Sequence, residues 1–559
     1  MSWFNDRLFD LALRLSGGRA YHALHRAARN PQAAQQRALQ RILRLQSTTA
    51  FGRAHGFAGL SDIEAFRRRV PLATYEDLEP YIARQIAGER ALTSEKPVLY
   101  ARTSGTLAAP KLIPVTPTAL KRTRAVQSAM AWACRQACDL YAGRILLLSG
   151  ATREDSLPDG TPIGSATGLI YDTLPASIRK KYVVPSEVFS INDATLKYAI
   201  VAHLALKTEN LTAVSSANPS TFLRLRDYVQ AHWQEMITDI RRGRIDGLDT
   251  LDTATRQAVK RAIAPDPKRA DQLELYSARD TTTIGDLWPH LAGVVTWTGG
   301  SCAIAAQAVR RALPAHTRLI EAGYVASEMR GTVVLDAHTN LALPVLEDVV
   351  FEFLPVADWD AGQRDTLLLH QIQPDQDYQI VVTTLNGLYR YVMNDILRTG
   401  PKIANTHSLR FVQKGKGFTN ITGEKLSEQQ VNAAMLDLHA VAGGEVRFFV
   451  VLADEEAARY DAYTHIHPAT DQAAVDPTAM AAALDACLCT LNIEYAAKRA
   501  TGRLHPLRLY PLRPETALAY RDAHIALGQR EAQFKVLTLQ YRRDCRFDFA
   551  PYMEQPDAD

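Results

Sequence analysis

The chain has 559 residues, of which 47% are hydrophobic and 22% charged, and its formal net charge is only +4. This composition is typical of a globular protein and argues against a disordered chain. No block of like charge suggests a nucleic-acid-binding tail, and arginine clusters such as Arg67–Arg69 are typical of solvated helix faces. The length predicts roughly three or four domains, although a large α/β enzyme can fold as one big unit plus a smaller one.

The cysteines and the N-terminal segment bear on the compartment. The six cysteines lack CxxC pairs and Cys/His spacings typical of zinc sites, and their sparse use fits a reducing, cytoplasmic location. Phe4, Leu8, Leu11 and Leu15 recur at helical spacing, but acidic residues interrupt the segment, so a signal peptide is not expected. We expect this helix to pack on the protein body. No run approaches the ~20 apolar residues of a membrane span.

Residues 1–97 are predicted to be mostly helical. Ser61 with Glu64, and Thr74 with Asp77, match the spacing of a capping box. In that motif, a hydroxyl and a carboxyl three residues later satisfy each other's backbone amides. Each pair therefore predicts the start of a helix.

The stretch LYARTSGTLAAPKLIPVTP (Leu99–Pro117) begins as a strand and continues into hydroxyl residues around a glycine, followed by a lysine. The residues concerned are Thr103, Ser104, Gly105, Thr106 and Lys111. Glycine lets the backbone approach a phosphate, hydroxyls and amides donate hydrogen bonds, and the lysine supplies a mobile charge. The stretch predicts a phosphate loop, but not of the Walker type, whose spacing is absent. An ordinary Ser/Thr/Gly turn is the alternative.

Beyond this stretch, short apolar runs alternate with helical segments. The runs are Ile145–Leu148, Leu211–Val214, Ala292–Trp297, Leu319–Ile320 and Ile380–Thr383, and the helical segments include Thr118–Leu140, Ser220–Arg242 and Ala303–Leu313. This alternation predicts an α/β architecture with substantial parallel sheet. Residues 341–354 and 378–384 also predict a pair of antiparallel strands.

A change of texture at Phe411–Gly417 (FVQKGKG) predicts a domain boundary. It separates a large domain over residues 1–412 from a small α+β domain over residues 413–559. In the small domain, Ser427 is expected to cap a helix that begins EQQ.

Gly299, Gly300 and Ser301 follow the apolar run that ends at Trp297. A glycine pair at the carboxyl end of a strand lets a flat ring or a phosphate approach the backbone, and open α/β sheets place ligands at such ends. The motif predicts a ligand contact, with a plain strand-to-helix turn as the alternative.

Tyr324, Ser327 and Glu328 follow another predicted strand, Arg318–Ala322. A tyrosine ring can stack on a base, and a carboxylate can hold a hard cation such as Mg²⁺. The alternative is a surface helix start that Ser327 caps.

Arg390 and Asp395 lie in the segment YRYVMND. A carboxylate in such a loop can accept hydrogen bonds from both hydroxyls of a ribose. Arg390 can pair with a phosphate or carboxylate in bidentate fashion. A hairpin with an exposed Arg–Asp pair is the alternative.

The order of these motifs resembles the adenylate-forming enzymes. The flanking segments are more specific: FGRAHGF, FRRRVPLATYED, LWPHLAGVVTWTGGS, FEFLP, TTLNGLYRY, NITGEKLSE, NIEYAAKRATGRLHPL and QFKV. Together they resemble the Gretchen Hagen 3 family over roughly residues 45–540. Plant members of that family are acyl-acid amido synthetases, which join jasmonate, auxin or benzoates to amino acids.

The resemblance implies an adenylate-forming-type N-terminal domain, with β-sheets flanked by helices, and a mobile C-terminal domain hinged near residues 411–417. It implies ATP and Mg²⁺ as cofactors. Thr103–Thr106 would hold the phosphates, and Gly299 and Gly300 would border the adenine. Tyr324, Ser327 and Glu328 would contact the nucleotide, and Glu328 would also contact Mg²⁺. Asp395 would bind the ribose. Lys425 and Lys535 would reach the phosphates or the adenylate from the C-terminal domain. Thr106, Lys425 and Lys535 are the implied catalytic residues.

Three positions depart from the family pattern. Leu107–Pro110 stands where a second glycine is usual in the phosphate loop. The ribose motif usually reads Y-R-x-G-D, whereas here Asn394 precedes Asp395 and the spacing after Arg390 is longer. Gln413-Lys414 stands where an arginine often marks the hinge. We expect these departures to bear on activity and not on the fold. The Asn394 change need not abolish nucleotide binding, since Asn tolerates left-handed backbone better than most residues.

The implied reaction activates a small carboxylic acid as acyl-AMP and transfers the acyl group to an amino acid or other amine, releasing AMP and pyrophosphate. The expected partners are these substrates, with no nucleic acid and no membrane span, and a monomer is predicted. One alternative is an acyl-AMP ligase with a thiol acceptor such as coenzyme A. Another is a degenerate protein that binds a nucleotide or an acid without catalysis. The sequence does not identify the acid, the amine or the base that deprotonates the amine.

Overall fold

A computed structural model describes residues 9, 11, 13–102, 111–277, 283–415, 417–441, 444–468, 476–527 and 534–554. The chain divides into two compact units. The first unit comprises residues 1–297, 309–393 and 397–410, and the second comprises residues 298–308, 394–396 and 411–559. The second unit therefore includes two short segments that the sequence assigned to the large domain. The mobility of the smaller domain stays a prediction.

The strands are numbered in chain order. They are β1 (Leu99–Arg102), β2 (Leu112–Val115), β3 (Arg144–Leu148), β4 (Asp155–Ser156), β5 (Pro162–Gly164), β6 (Leu211–Ser216), β7 (Gly293–Thr296), β8 (Arg318–Glu321), β9 (Thr332–Val334), β10 (Ala342–Pro344), β11 (Val349–Pro355), β12 (Leu367–Leu368), β13 (Asp377–Thr384), β14 (Tyr391–Ile403), β15 (Thr406–Lys414), β16 (Phe418–Thr419), β17 (Leu426–Ser427), β18 (Gly444–Asp454), β19 (Arg459–Pro468), β20 (Arg508–Pro511) and β21 (Leu539–Tyr541).

The described chain also contains α-helices. They are Gly18–Arg29, Pro31–Gln46, Ala50–Ala54, Ile63–Arg69, Tyr75–Ile86, Pro117–Ala137, Ala166–Asp172, Ala176–Arg179, Ala194–Lys207, Pro219–Ala231, Trp233–Arg242, Thr253–Ala262, Pro267–Ser277, Ile284–Leu287, Ala303–Ala312, Val356–Asp360, Glu428–Val441, Pro477–Leu491, Ile493–Ala500 and Thr516–Ala526. In the part of the chain that the structure describes, no helix is long and apolar enough to cross a membrane.

One of the two predicted capping boxes is confirmed. Thr74 and Asp77 form the box that opens the helix Tyr75–Ile86. The prediction for Ser61 was wrong, because Asp62 caps the next helix by accepting from the backbone amide of Ala65 at 2.8 Å. Ser61 instead donates its hydroxyl to the Asp62 carboxylate. The carboxylate is the stronger acceptor of the two neighbouring side chains, so the helix starts one residue later.

The predicted parallel sheet is confirmed in the first unit. Strands β3, β6, β7 and β8 lie in that order, and each neighbouring pair is parallel. Central residues such as Val214 and Val294 are fully buried, as expected for a sheet covered on both faces. The single helix predicted over Ser220–Arg242 is instead two helices that meet at His232.

The predicted antiparallel pair is also confirmed. Strands β11 and β13 pair from Val349 opposite Thr384 to Pro355 opposite Tyr378. They belong to a five-stranded sheet in the order β12-β11-β13-β14-β15. Strand β15 continues through Phe411, so the predicted boundary falls within regular structure.

The second unit is an α+β body around the sheet β20-β19-β18-β21. One face of this sheet packs against the helices Glu428–Val441 and Pro477–Leu491, through a cluster that includes Val431, Leu438 and Leu484. Ser427 caps the first of these helices, as predicted, because its hydroxyl accepts from the backbone amide of Gln430 at 3.1 Å. The mixed α/β organisation is therefore the one that the sequence predicts.

Candidate active site

The predicted phosphate loop begins where β1 ends. Thr103, Ser104, Gly105 and Thr106 lie outside the described residues. Lys111 follows them, and its Nζ lies 3.9 Å from Glu76 Oε1 and 5.0 Å from the centroid of the Tyr75 ring. These contacts hold the lysine at the first turn of the helix Tyr75–Ile86, with its side chain about one-third exposed. Its contact with a phosphate stays a prediction.

Residues 324–332 form a tight turn between β8 and β9. The amide of Gly331 donates to the carbonyl of Tyr324 at 2.9 Å, and the amide of Tyr324 donates to Thr332 Oγ1 at 2.7 Å. Ser327 donates its hydroxyl to the carbonyl of Arg102 at 3.4 Å, which is a long bond. The turn therefore places Ser327 at the end of β1, beside the start of the predicted phosphate loop. The alternative, a helix capped by Ser327, was wrong.

Glu328 follows Ser327 in this turn and is half-buried. Among the described residues, no group of three or more His, Cys, Asp or Glu side chains could hold a metal ion by itself. Mg²⁺ usually takes one or two protein carboxylates and completes its shell with substrate phosphates and water. A single carboxylate at Glu328 therefore fits a magnesium ion that arrives with a nucleotide.

Arg390 is part of the protein interior. Its guanidinium donates to both carboxylate oxygens of Glu352, at 2.8–3.2 Å, and to the carbonyls of Arg67 and Val70 at 2.9 and 2.8 Å. It also donates to the hydroxyl of Thr366. The predicted contact of Arg390 with a phosphate or carboxylate of a ligand is not supported by this geometry, because the guanidinium is buried and occupied by protein acceptors.

Gly300 is required by the packing of the second unit. It has a φ of 58° and opens the 3₁₀ turn Gly300–Cys302. A Cβ at this position would lie 2.9 Å from Phe411 Cε1 and 3.0 Å from the carbonyl oxygen of Val412. Gly299, which precedes the turn, is extended. The Ser301 side chain lies outside what is described.

Asp395 lies in a short segment that joins the same unit. Asn394 adopts left-handed backbone, with a φ of 55°, and its carbonyl accepts from the amide of Gly415 at 2.8 Å. Asp395 itself is 7% exposed. The residue that replaces the usual glycine therefore takes the conformation that a glycine would supply, and its carbonyl is bound by the first residue after β15.

Lys535 lies beside the Phe411 ring of the second unit. Its Nζ lies 5.1 Å from the centroid of the Phe411 ring, the ring against which Gly300 packs. The buried carboxylate of Glu428 accepts from the amide and hydroxyl of Thr538 at 3.2 and 2.9 Å. Burial raises the pKa of Glu428, while these hydrogen bonds and the positive charge of Lys535 oppose the rise.

Lys425 is exposed and immediately precedes β17, with a φ of 43°. The side chains that hold its loop, Glu424, Tyr460 and Asn492, were missed by the sequence reasoning. Glu424 and Asn492 lie in the NITGEK and NIEY segments that the sequence analysis used only as family motifs. The presence of a Glu and an Asn within these two motifs was the available signal. Tyr460 lies outside both motifs.

The chain is similar to known proteins over most of its length. Residues 20–317, 343–414 and 429–544 match the GH3 family N-terminal, central and C-terminal domains. The probable indole-3-acetic acid-amido synthetase GH3.1 of Oryza sativa subsp. japonica is 27% identical over 430 residues, 73% of this chain and 70% of that protein. The jasmonoyl-L-amino acid synthetase GH3.5 of the same organism is 24% identical, over 91% of this chain and 92% of that protein.

A solved structure shows the same fold. The structure of a GH3.15 acyl acid amido synthetase superimposes with a TM-score of 0.82 at 20% identity, covering 95% of this chain and 96% of that chain. The N-terminal family match alone covers more than half of the 559 residues. From these matches, and from the ordered motifs that the sequence carries, we conclude that the chain belongs to the GH3 family.

Proposed function

We propose that this protein is an ATP-dependent acyl-acid amido synthetase. The observation that carries the proposal is that Gly300 and Lys535 both lie against the Phe411 ring, in the unit that also contains Asp395. These residues are far apart in the sequence. The motifs of Gly300 and Asp395 predict a nucleotide contact, and the family resemblance implies one for Lys535. The relatives support the same activity, since those reported above are named amido synthetases or an amino acid synthetase.

In the first half of the proposed reaction, a carboxylate oxygen of the acid attacks the α-phosphorus of ATP. A carbon–oxygen–phosphorus linkage forms, and pyrophosphate leaves. Lys425 and Lys535 supply positive charge to the phosphates, and fixed donors of this kind are typically worth about 3–4 kcal/mol each in the transition state. Asp395 accepts hydrogen bonds from the ribose hydroxyls. Glu328 would hold Mg²⁺, which would neutralise charge on the leaving pyrophosphate.

In the second half, the nitrogen of an amine attacks the acyl carbonyl carbon, and AMP leaves with the electrons of the broken carbon–oxygen bond. The mixed anhydride supplies the leaving group that a free carboxylate lacks. An α-amino group has an ordinary pKa near ~7.7–8.0, so most of it is protonated at neutral pH and has to lose a proton before attack. Exclusion of water would protect the anhydride from hydrolysis.

The test is a screen of carboxylic acids for pyrophosphate release from ATP, with pooled amino acids as acceptors. Because relatives are named for indole-3-acetic acid and for jasmonoyl conjugates, those acids and simpler aromatic acids come first. Pyrophosphate release that needs both acid and ATP, followed by an amide product, supports the proposal. Consumption of the adenylate by coenzyme A and by no amine would instead identify a thioester-forming ligase. Nucleotide binding without release would identify a binding protein.

A further inference from the structure

The loop 420–425, which ends at Lys425, is held by side chains from three other elements of the second unit. Tyr460 belongs to β19, Asn492 caps the helix Ile493–Ala500, and Tyr541 ends β21. The hydroxyl of Tyr541 accepts from the amide of Asn420 at 2.9 Å. The loop itself is irregular, so its conformation depends on these contacts.

Glu424 is the centre of this arrangement and is 1% exposed. Its carboxylate accepts from the amides of Ile421 and Thr422, each at 2.7 Å, and from the Tyr460 hydroxyl at 2.6 Å. Burial opposes the charged form, yet the hydrogen bonds from Tyr460 and the amides hold the pKa of Glu424 below its usual value. The Glu424 carboxylate is therefore charged, and the loop backbone bends around it so that the amides of Ile421 and Thr422 donate to it.

Asn492 fixes the other end of the loop. Its Nδ2 donates to the carbonyls of Glu424 and Lys425, at 3.0 and 3.4 Å. Its Oδ1 accepts from the amide of Tyr495 at 2.9 Å and so caps the helix. One side chain thus ties the backbone of Lys425 to a helix terminus.

The conformation that these contacts impose is an unfavourable one. Lys425 has a φ of 43° and Gly423 a φ of 108°. Left-handed backbone is unfavourable for a residue with a Cβ, and a buried carboxylate is unfavourable unless it is fully hydrogen-bonded. Strain of this kind persists where the surroundings over-determine it, and it is frequent at functional sites. The Lys425 side chain, at the end of this strained loop, is exposed.

We propose that Glu424, Tyr460 and Asn492 are positioning residues that set the place of the Lys425 ammonium in the reaction. The inference rests on the proposed function, in which Lys425 acts on a phosphate or on the adenylate. Lys425 supplies the positive charge, and the three side chains restrict the positions that its ammonium samples. Removing one of them therefore acts through Lys425.

The test compares Tyr460→Phe with Tyr495→Phe. Both tyrosines are fully buried in the second unit, their ring centroids lie 5.8 Å apart, and each donates to a carboxylate at 2.6 Å, but the Tyr495 hydroxyl donates to Asp485 and not to Glu424. Each substitution is made in the native chain and in Lys425→Ala. Pyrophosphate release and amide formation are measured separately, with thermal unfolding as the check on folding.

We expect Tyr460→Phe to lower kcat of the Lys425-dependent half-reaction by about tenfold, because the loop that carries Lys425 loses a hydrogen bond to its central carboxylate. In the Lys425→Ala background, the same substitution is expected to change kcat by less than about twofold, because coupled residues are not additive. Tyr495→Phe is expected to change kcat by less than about twofold in both backgrounds. Asn492→Asp keeps the helix cap, loses the donated bonds and gives the same pattern if Tyr460→Phe does not fold.

Equal losses from Tyr460→Phe in both backgrounds, or equal losses from Tyr460→Phe and Tyr495→Phe, would overturn the inference. Unchanged half-reactions in Lys425→Ala would also overturn it, while leaving the amido synthetase activity in place. Failure of the native chain to release pyrophosphate with any acid would contradict the proposed function itself.

Discussion

Arg390 and Glu352 form a buried ion pair in the first unit, with Arg390 Nη2 2.8 Å from Glu352 Oε2 and the two side chains 8% and 2% exposed. Arg67 adds a second positive charge, its Nε lying 3.4 Å from the same oxygen. All five N–H donors of the Arg390 guanidinium are used by protein acceptors, so none is left for a ligand. Its role is to join β11, β14 and the end of the helix Ile63–Arg69.

Arg390→Met is therefore expected to act on stability. The substitution leaves the buried Glu352 with only the more distant charge of Arg67, and breaking a buried ion pair typically costs about 3–5 kcal/mol. The control is Arg398→Met, since Arg398 pairs with Asp377 at 2.7 Å but both side chains are about 30% exposed. That change is expected to cost at most about 1 kcal/mol. Urea unfolding measures both, and a stable Arg390→Met variant with a raised KM for ATP would restore the ligand role.

Arg390 also shows which kind of inference the sequence supports. The parallel sheet was predictable because apolar runs and helical periods are local signals. The partner of Arg390 lies 38 residues away, and the carbonyl of Arg67 lies 323 residues away. An arginine that binds a ligand and one that binds a distant glutamate look the same in a motif. The inclusion of residues 298–308 in the second unit depends on packing such as that of Gly300 on Phe411, which no local pattern encodes.

Gly300→Ala is expected to disrupt the second unit near Phe411. The added Cβ combines a positive φ with a contact of 2.9 Å to the ring, whereas Gly502, with a φ of 68°, has no atom within 4 Å of the equivalent position. Gly502→Ala is thus a control for backbone strain alone, which costs about 1 kcal/mol. Gly300→Ala is expected to cost more than this and to reduce acid-dependent pyrophosphate release. Equal unfolding free energies and unchanged release in the two variants would refute the packing argument.

Asp395→Asn is expected to weaken ATP binding. The substitution preserves size but removes the charge that strengthens hydrogen bonds from ribose hydroxyls, and the loss of such a bond corresponds to about tenfold or more in KM for ATP. The dependence of pyrophosphate release on ATP concentration measures the effect. An unchanged ATP dependence in a folded variant would exclude the ribose contact.

His203 predicts a loss of stability in acid. It is 1% exposed on the helix Ala194–Lys207, and neither ring nitrogen has a hydrogen-bond partner among the described residues. Burial lowers the pKa of His203 from 6.5 to about 4, and the charge of Lys207 acts in the same direction. Between pH 6.5 and pH 4, His203 therefore binds a proton in the unfolded chain but not in the folded protein. The contribution of neutral His203 to the free energy of unfolding is complete above pH 6.5 and declines as the pH falls toward 4.

The expected loss through His203 is about 2 kcal/mol between pH 7 and pH 5. His203→Leu removes the titrating group. Between pH 7 and pH 5, the free energy of unfolding of this variant is expected to fall by about 2 kcal/mol less than that of the native chain. His290→Leu, at an exposed position, is expected to retain the native dependence. Urea unfolding of the three proteins at the two pH values gives the comparison. A His203→Leu variant with the native pH dependence would show that His203 does not titrate in this way.

The most direct test of acyl adenylate formation follows an oxygen atom. The acid found by the screen is labelled with ¹⁸O in its carboxylate and allowed to react with ATP and the accepted amine. If the carboxylate attacks the α-phosphorus, one labelled oxygen bridges the acyl group and the phosphorus and leaves with AMP when the amine attacks. Mass spectrometry will then find ¹⁸O in AMP and none in pyrophosphate. Amide formation with unlabelled AMP, or with ADP and labelled phosphate, would contradict the account.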